Sequence, residues 1–468
     1  MSGQRRPEST RDQRGGTRPP RGGRPLVDEA RQAAYEAIAA VHRDDAYANL
    51  VLPRILRELR LHGRDAAFAT ELTYGTLRTC GTLDAIIAVA AGREVARIDP
   101  PIRDALRLGA YQLLHTRVPP HAAVSSTVDL VRSIVGPSAT GFANAVARKI
   151  GGQPLDAWIA AVAPKDRLGY LGVAYAHPLW IVRAFAEALQ GDLDQTEALL
   201  AADNIPAPVH LCARPGRLDA ATLAAEVGGE VGRFSPYAVY LSGGAPGDLA
   251  AVVQGRAHVQ DEGSQLVALA VADAPLDGPD ERWLDLCAGP GGKAALLGAL
   301  AAGRGARVTA VEVAPHRAEL VRQAVAGLPV DVVCGDAREL DLTGFDRVLV
   351  DAPCSGLGSL RRRPESRWRR QPADLPPLTR LQRELLTTAI QAVRPGGLVA
   401  YATCSPHLVE TQITVTEAVR RSAYPVELVD VRPALPDTLP DLGTGPTIQL
   451  WPHRHGTDAM FLAVLRRG

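Results

Sequence analysis

Two cysteines stand where a thiol could do chemistry. Cys354 closes the run Asp351-Ala352-Pro353-Cys354, and Cys404 lies in Tyr401-Ala402-Thr403-Cys404-Ser405-Pro406. Each follows a short apolar, β-branched segment ("FDRVLVD" and "GLVAYAT") that reads as a buried strand. Parallel neighbours in a sheet lie about 4.8 Å apart, so residues just past their carboxyl ends meet at one rim. A thiolate at such a rim can add to an electron-poor carbon and later be expelled. For that the site must lower the thiol's ordinary value of about 8.5. Asp351 would bring a carboxylate to the same place. The remaining cysteines, Cys80, Cys212, Cys287 and Cys334, are scattered without a CxxC pair or zinc-ligand spacing. Neither a disulfide framework nor a metal site is expected, and these four read as structural thiols.

The elements that must position these groups alternate. From Glu281 onward come the strand-like "RWLDLCA", a helix after Gly292, the strand "RVTAVEV" and the helix "HRAELVRQAVAG". Then follow "VDVVC", "FDRVLVD", a long helix around 378–393 and "GLVAYAT". That alternation predicts a doubly wound, parallel, Rossmann-like sheet whose ligands sit beyond the strand ends at the switch point. The first strand runs into Asp285-Leu286-Cys287-Ala288-Gly289-Pro290-Gly291-Gly292-Lys293-Ala294, where glycines allow a ligand close to the backbone and a helix N-terminus offers free N–H groups. Glu312 ends the second strand, placed to accept both hydroxyls of a ribose. On this segment alone, a nicotinamide cofactor and S-adenosylmethionine fit equally well. Asp336 after the third strand, the Asp351–Cys354 run after the fourth, and the lack of a second dinucleotide-binding half favour S-adenosylmethionine.

A thiol beside a methyl donor has a specific use. Carbon 5 of a pyrimidine is a poor nucleophile, but a thiolate added to carbon 6 makes it enamine-like. The segments "LDLCAGPGGKA", "GDARE", "VDAPCSGLGSLRRRPESRW" and "YATCSPHLVETQ" resemble the successive motifs of the RNA cytosine-5 methyltransferases of the RsmB/Sun/NOP family. The resemblance runs from about residue 177 to the C-terminus. It implies Cys404 as the nucleophile, Cys354 as the thiol of product release, and Asp351 against the cytosine edge. DNA cytosine methyltransferases use the Pro-Cys thiol as nucleophile, so possession of both motifs points to RNA. Lys293 matches the lysine of the family's glycine loop and joins the catalytic set, in a chain whose only other lysines are Lys149 and Lys165. The implied cofactor residues are Cys287, Ala288, Gly289, Pro290, Gly291, Gly292, Lys293, Glu312, Arg317, Asp336, Ala337 and Asp351. Gln265 matches a family segment ahead of the loop. "HGTDAMFLA" departs from the family's usual Asp-Gly-Phe-Phe, and "VHLCARP" from its Leu-Arg-Val-Asn wording.

Ahead of this domain, apolar residues fall at helical spacing from Ala30 to Gly151 (Ala33, Ala37, Ile38, Val41; Leu52, Ile55, Leu56, Leu59), with breaks expected at Gly63, Gly81, Gly92, Pro100 and Pro119. "RDAAFATELTYGTLR", "LRLGAYQLLHTRVPPHAAVSSTVDLVR" and "GFANAVARKI" resemble the helical, RNA-binding NusB type. Four parts follow: an Arg/Gly-rich disordered tail (1–27), a NusB-like all-α domain (28–151), a small α/β bridging module (152–270) and a methyltransferase domain (271–468). The 468 residues are 46% hydrophobic and 22% charged with a net charge of +1, which is ordinary for a globular protein. No apolar run reaches membrane-span length and no signal core opens the chain, so a cytoplasmic monomer without membrane contact is expected. Between residues 359 and 370, Arg361, Arg362, Arg363, Arg367 and Trp368 belong to a run expected to clamp RNA by phosphate pairing and stacking. With the NusB-like front end, the expected partner is small-subunit (16S) rRNA. A tRNA or another rRNA, and a non-catalytic RNA-binding factor, are the alternatives.

Overall fold

The computed structural model describes residues 27–468. Of the tail expected over residues 1–27, only Val27 lies within them, and it is buried against the helical bundle. Helices begin where the sequence supplies caps. Asp28 accepts the Arg31 N–H at 3.0 Å to open Glu29–Arg43. Prolines fill the first turns of Pro100–His115 and Pro120–Ile134, where an N–H would have no partner. With Ala48–Glu58, Gly63–Ala91 and Thr140–Ile150, these form the all-α N-terminal domain. Leu155–Val162 extends its packing past residue 151, because Trp158 is buried in the bundle core and donates to the Ile150 carbonyl at 2.9 Å. The break expected at Gly81 does not occur; the residue lies inside the 29-residue helix Gly63–Ala91. A Cβ there would sit 2.1 Å from the Trp368 ring, so glycine serves the close approach of a distant tryptophan.

Helices Arg167–Ala174, Leu179–Ala188 and Leu193–Asp203 lead into a small sheet of β1 (Val209–Ala213), β2 (Glu230–Val231), β3 (Ala238–Leu241) and β4 (Ala257–Val259). It is antiparallel, in the order β2-β3-β1-β4. Helix Glu262–Asp273 lies largely within the expected bridging module but shares a core with Trp283, Leu296 and Val308 of the domain that follows. That domain holds β5 (Arg282–Asp285), β6 (Arg307–Glu312), β7 (Val330–Cys334), β8 (Phe345–Asp351) and β9 (Val393–Thr403), all parallel. One edge is finished antiparallel by β12 (Phe461–Arg467) and β10 (Val426–Val429), with a short β11 (Ile448–Gln449) on β12. The order β10-β12-β9-β8-β5-β6-β7 reverses direction at β5, whose neighbours are β6 and β8. A crevice therefore opens beyond the carboxyl ends of these strands. Among the described residues no helix is long and apolar enough to cross a membrane.

The arginine run expected to clamp RNA faces inward instead. Arg362 spans Asp261 at 2.7 Å and Asp458 at 3.0 Å, and Arg361 reaches Asp458 at 3.4 Å. Arg367 is fully buried, and its two terminal nitrogens donate to the Arg78 carbonyl (3.0 Å), the Asn204 Oδ1 (2.7 Å) and the Asp203 carbonyl (2.8 Å). One guanidinium thus joins the bundle, the bridging module and the parallel-sheet domain. Trp368 packs on Gly81 of the bundle. The expectation for Arg361, Arg362, Arg367 and Trp368 is corrected accordingly: the planar, multi-donor guanidinium that suits phosphates equally suits buried carboxylates and carbonyls, and these side chains cement three domains. Arg363 alone of the five is exposed. Truncating the central joint strands buried acceptors. We expect Arg367→Ala to lower stability by on the order of 3 kcal/mol in urea denaturation; a variant as stable as the wild type would contradict this role.

Candidate active site

Three carboxylates arrive at the crevice because three parallel strands end on acids. β5 ends at Asp285, β6 at Glu312 and β8 at Asp351. Beyond them lies a cavity of about 440 Å³, lined by Gly289, Glu312, Asp336, Asp351, Cys354 and Cys404 among others. That volume is typical of a small-molecule site.

The two thiols meet there. Cys354 Sγ lies 3.4 Å from Cys404 Sγ. Strand pairing brings their loops into register, with the Ala352 N–H donating to the Ala402 carbonyl at 2.9 Å and the Gly358 N–H to the Cys404 carbonyl at 2.8 Å. A Cβ on Gly358 would fall 2.2 Å from the Ala459 carbonyl, so only glycine permits this approach. Glu410, fully buried, then binds both loops. Its carboxylate accepts the Ser355 N–H (2.7 Å), the Ser405 hydroxyl (2.7 Å), the Gln382 amide (3.1 Å) and the Ser355 hydroxyl. The hydrogen bond to Cys404, together with burial, pushes the Cys354 thiol well above its usual range. Cys354 therefore holds its proton and can donate it toward Cys404.

Lys293 reaches across the floor to Asp351, Nζ to Oδ2 at 2.9 Å. Burial opposes its charge, but the Asp351 carboxylate outweighs that, and the ammonium is held above its ordinary value. Asp285 lies beneath. Burial, then the neighbouring charge of Asp351, push its carboxyl up to about 7, and its Oδ2 has no hydrogen-bond partner among the described residues.

On the opposite side, the buried Glu312 accepts the Gly289 N–H at 3.0 Å and the Ala314 N–H at 2.9 Å. A Cβ at Gly289 would stand 2.2 Å from Glu312 Oε2, so loop and acid touch because residue 289 has no side chain. Arg317 donates to the Gly289 carbonyl. Asp336 is gripped by Arg338, whose Nε lies 2.9 Å from Oδ1, and this partner lowers its pKa. Cys287, Pro290 and Ala337 line the cavity with these groups. Ala288, Gly291, Gly292 and Lys293 do not, and Lys293 meets it only through Asp351. Ala288 donates to the Val311 carbonyl at 2.9 Å. Gly291 lets the loop pack on helix Pro315–Ala324, where a Cβ would come within 2.6 Å of Ala324. Gln265 is corrected as well: fully buried, it braces the Leu211 and Gln260 carbonyls at 3.2 and 3.0 Å, away from the site.

A family model described as 16S rRNA methyltransferase RsmB/F matches residues 274–466. A ribosomal RNA small subunit methyltransferase B of Pseudomonas putida is 34% identical over 391 residues, covering 80% of this chain and 85% of that one. This chain belongs to the RsmB/F methyltransferase family. The NusB family model matches residues 28–151, which agrees with the all-α domain. A Mycobacterium tuberculosis protein designated a methyltransferase is 58% identical over 448 residues, 95% of this chain and 97% of that one. Among solved structures, the protein PH0851 shares the fold with a TM-score of 0.77 at 26% identity, covering 94% of this chain and 98% of that one.

Sequence reasoning places Asp285 at a strand end without giving it a role, and overlooks Glu410 and Tyr47, the latter joining the cavity wall from the bundle. An acid six residues past the Thr-Cys step was visible in "YATCSPHLVE", but nothing nearby named its partners. The Asp285 environment carries a pH signature. The folded chain keeps that proton up to about pH 7, while an unfolded aspartate releases it near about 3.9. More protons are then bound in the folded state across that window, and this contribution to stability falls as pH rises through it. Asp285→Asn removes the titration yet can still accept the Cys287 N–H. We expect the variant to gain on the wild type by on the order of 2 kcal/mol between about pH 5 and about pH 8 in urea denaturation. A difference that does not change with pH would contradict the assignment.

Proposed function

We propose that this methyltransferase moves a methyl group from S-adenosylmethionine to carbon 5 of a cytosine in small-subunit rRNA, through a transient bond between Cys404 and carbon 6. The observation that carries the reading is the thiol pair, 3.4 Å apart, inside the cavity that also holds Glu312 and Asp336. A methyl donor alone requires no thiol; two adjacent thiols suit a reaction in which one adds to the ring and the other assists its release.

The residues present fit this cofactor. Three carboxylates on the cavity wall suit a cationic nucleoside, with Glu312 toward ribose hydroxyls and Asp336 toward an adenine amino group. A nicotinamide dinucleotide fits poorly, because the helix N-terminus that would hold its pyrophosphate is faced by the bridging module. His258 Nε2 lies 3.2 Å from the Gly292 carbonyl, and a Cβ at Gly292 would meet the Gln260 side chain at 3.7 Å. When bound, S-adenosylmethionine supplies an electrophilic methyl on a sulfonium sulfur.

Cys404, as thiolate, adds to carbon 6 and raises electron density at carbon 5. Asp351, held by Lys293, faces the N3/N4 edge and stabilises the adduct. Carbon 5 takes the methyl group; its proton then passes to water, and the electron pair of that carbon–hydrogen bond restores the ring double bond as the sulfur–carbon bond to Cys404 breaks and its electrons return to the sulfur. Cys354 keeps its proton in the free protein and stands beside Cys404 to assist that release. The target base must leave its stack to enter, which suits an unpaired or looped strand. The family supports an RNA methyltransferase, and the NusB-like domain supports a ribosomal substrate by analogy with NusB's RNA-binding role.

The test is methyl transfer from labelled S-adenosylmethionine to small-subunit rRNA by the wild type, Cys404→Ala and Cys354→Ala. We expect turnover to fall by on the order of a thousandfold or more in both variants, with an RNA-linked protein band surviving denaturation only in Cys354→Ala. Full activity in Cys404→Ala would refute the mechanism.

A further inference from the structure

One aromatic ring in the cavity wall comes from a different domain. Tyr47 caps helix Ala48–Glu58 of the bundle, yet it lines the same cavity as Asp351, Cys354 and Cys404. Its position is fixed from the catalytic side. Arg369 donates to the carbonyl of Ala46, immediately before it, and the buried Glu365 accepts the N–H of Ala48, immediately after it, at 3.3 Å. The loop following Cys354 therefore grips the backbone on both sides of Tyr47.

The side chain is left open: Tyr47 is 44% exposed. The Arg369 guanidinium lies 5.0 Å from the ring centroid, and that of Arg363 lies 5.6 Å away. Arg363 is the exposed arginine of its run, and no salt bridge or side-chain hydrogen bond engages it among the described residues. An exposed ring flanked by cations, at the mouth of a cavity that must receive a base, matches how single-stranded nucleic acid is held by stacking and phosphate pairing.

We propose that Tyr47 and Arg363 form a subsite for the nucleotide next to the target cytosine, its base stacked on the tyrosine–guanidinium surface and its phosphate paired with Arg363. The bundle thus supplies part of the catalytic pocket. This inference rests on the proposed RNA substrate but extends to residues that reading does not need. It also explains why the loop after the release thiol is tied to a helical domain: the tie sets the distance from stacking surface to thiols.

The experiment measures KM for small-subunit rRNA and the dissociation constant for S-adenosylmethionine in the wild type, Tyr47→Ala, Tyr47→Phe and Arg363→Ala, with melting temperatures to confirm folding. We expect Tyr47→Ala to raise KM for RNA by roughly tenfold to a hundredfold while cofactor affinity holds, and Tyr47→Phe to recover most of that loss. Arg363→Ala should raise KM and flatten the dependence of RNA binding on salt. If the wild type methylates RNA but both alanine variants bind it with unchanged KM, the subsite is wrong and the proposed function stands. No methyl transfer by the wild type to any RNA overturns the function and the subsite together.

Discussion

Placing two thiols within contact distance is harder than placing either one. Parallel strands bring the ends of β8 and β9 side by side, but the loops beyond are free to diverge. Glu410 removes that freedom. Its buried carboxylate takes hydrogen bonds from Ser355, one residue past Cys354, and from Ser405, one residue past Cys404. A buried carboxylate without partners would be costly, so the bonds that satisfy its oxygens also fix both loops. Gln382 adds a third element by donating to Glu410 and to the Pro353 carbonyl. The same logic governs the floor of the site, where Asp351 must share space with Asp285. Lys293 neutralises one carboxylate, and a retained proton neutralises the other.

From this centre the architecture extends outward through one segment. Residues 359–370 leave the thiol loop, ion-pair with Asp261 and Asp458, and insert Arg367 and Trp368 among the other domains. The bundle is therefore attached at the loop that follows Cys354, and Tyr47 enters the cavity wall as a consequence. The helical domain and the two thiols are thus joined by packed side chains rather than by a linker.

Much of this was legible in the sequence, for reasons that differ between residues. Strand ends were readable because buried parallel strands are continuous apolar runs, and Asp285, Glu312, Asp351 and Cys404 stand at or just beyond their ends. That Cys354 and Cys404 reach one rim followed from strand adjacency, but their contact did not, because Glu410 fixes both loops. Direction was not legible. An arginine run has the same composition whether it meets phosphates outside or carboxylates inside, and Asp458 and Asp261 lie too far along the chain to be matched with it by spacing. Gly81 looked like a helix break because its reason, the Trp368 ring, comes from another domain. Ala288, Gly291 and Gly292 share a motif with Gly289 but serve backbone and helix packing, a division that the motif's spacing does not show. Glu410 escaped notice because its partners are serines and backbone, which leave no charge pattern.

That Glu410 holds the two thiols together is tested most directly by the turnover of Glu410→Ala on small-subunit rRNA. An alanine leaves the Ser355 N–H, the Ser355 and Ser405 hydroxyls and the Gln382 amide without their shared acceptor, so the loops should separate while the sheet persists. In a variant that stays folded and keeps S-adenosylmethionine affinity near that of the wild type, we expect the rate to fall by on the order of a hundredfold. Wild-type turnover in the folded variant would contradict the account, because the thiols would then be positioned without the carboxylate that binds both their loops.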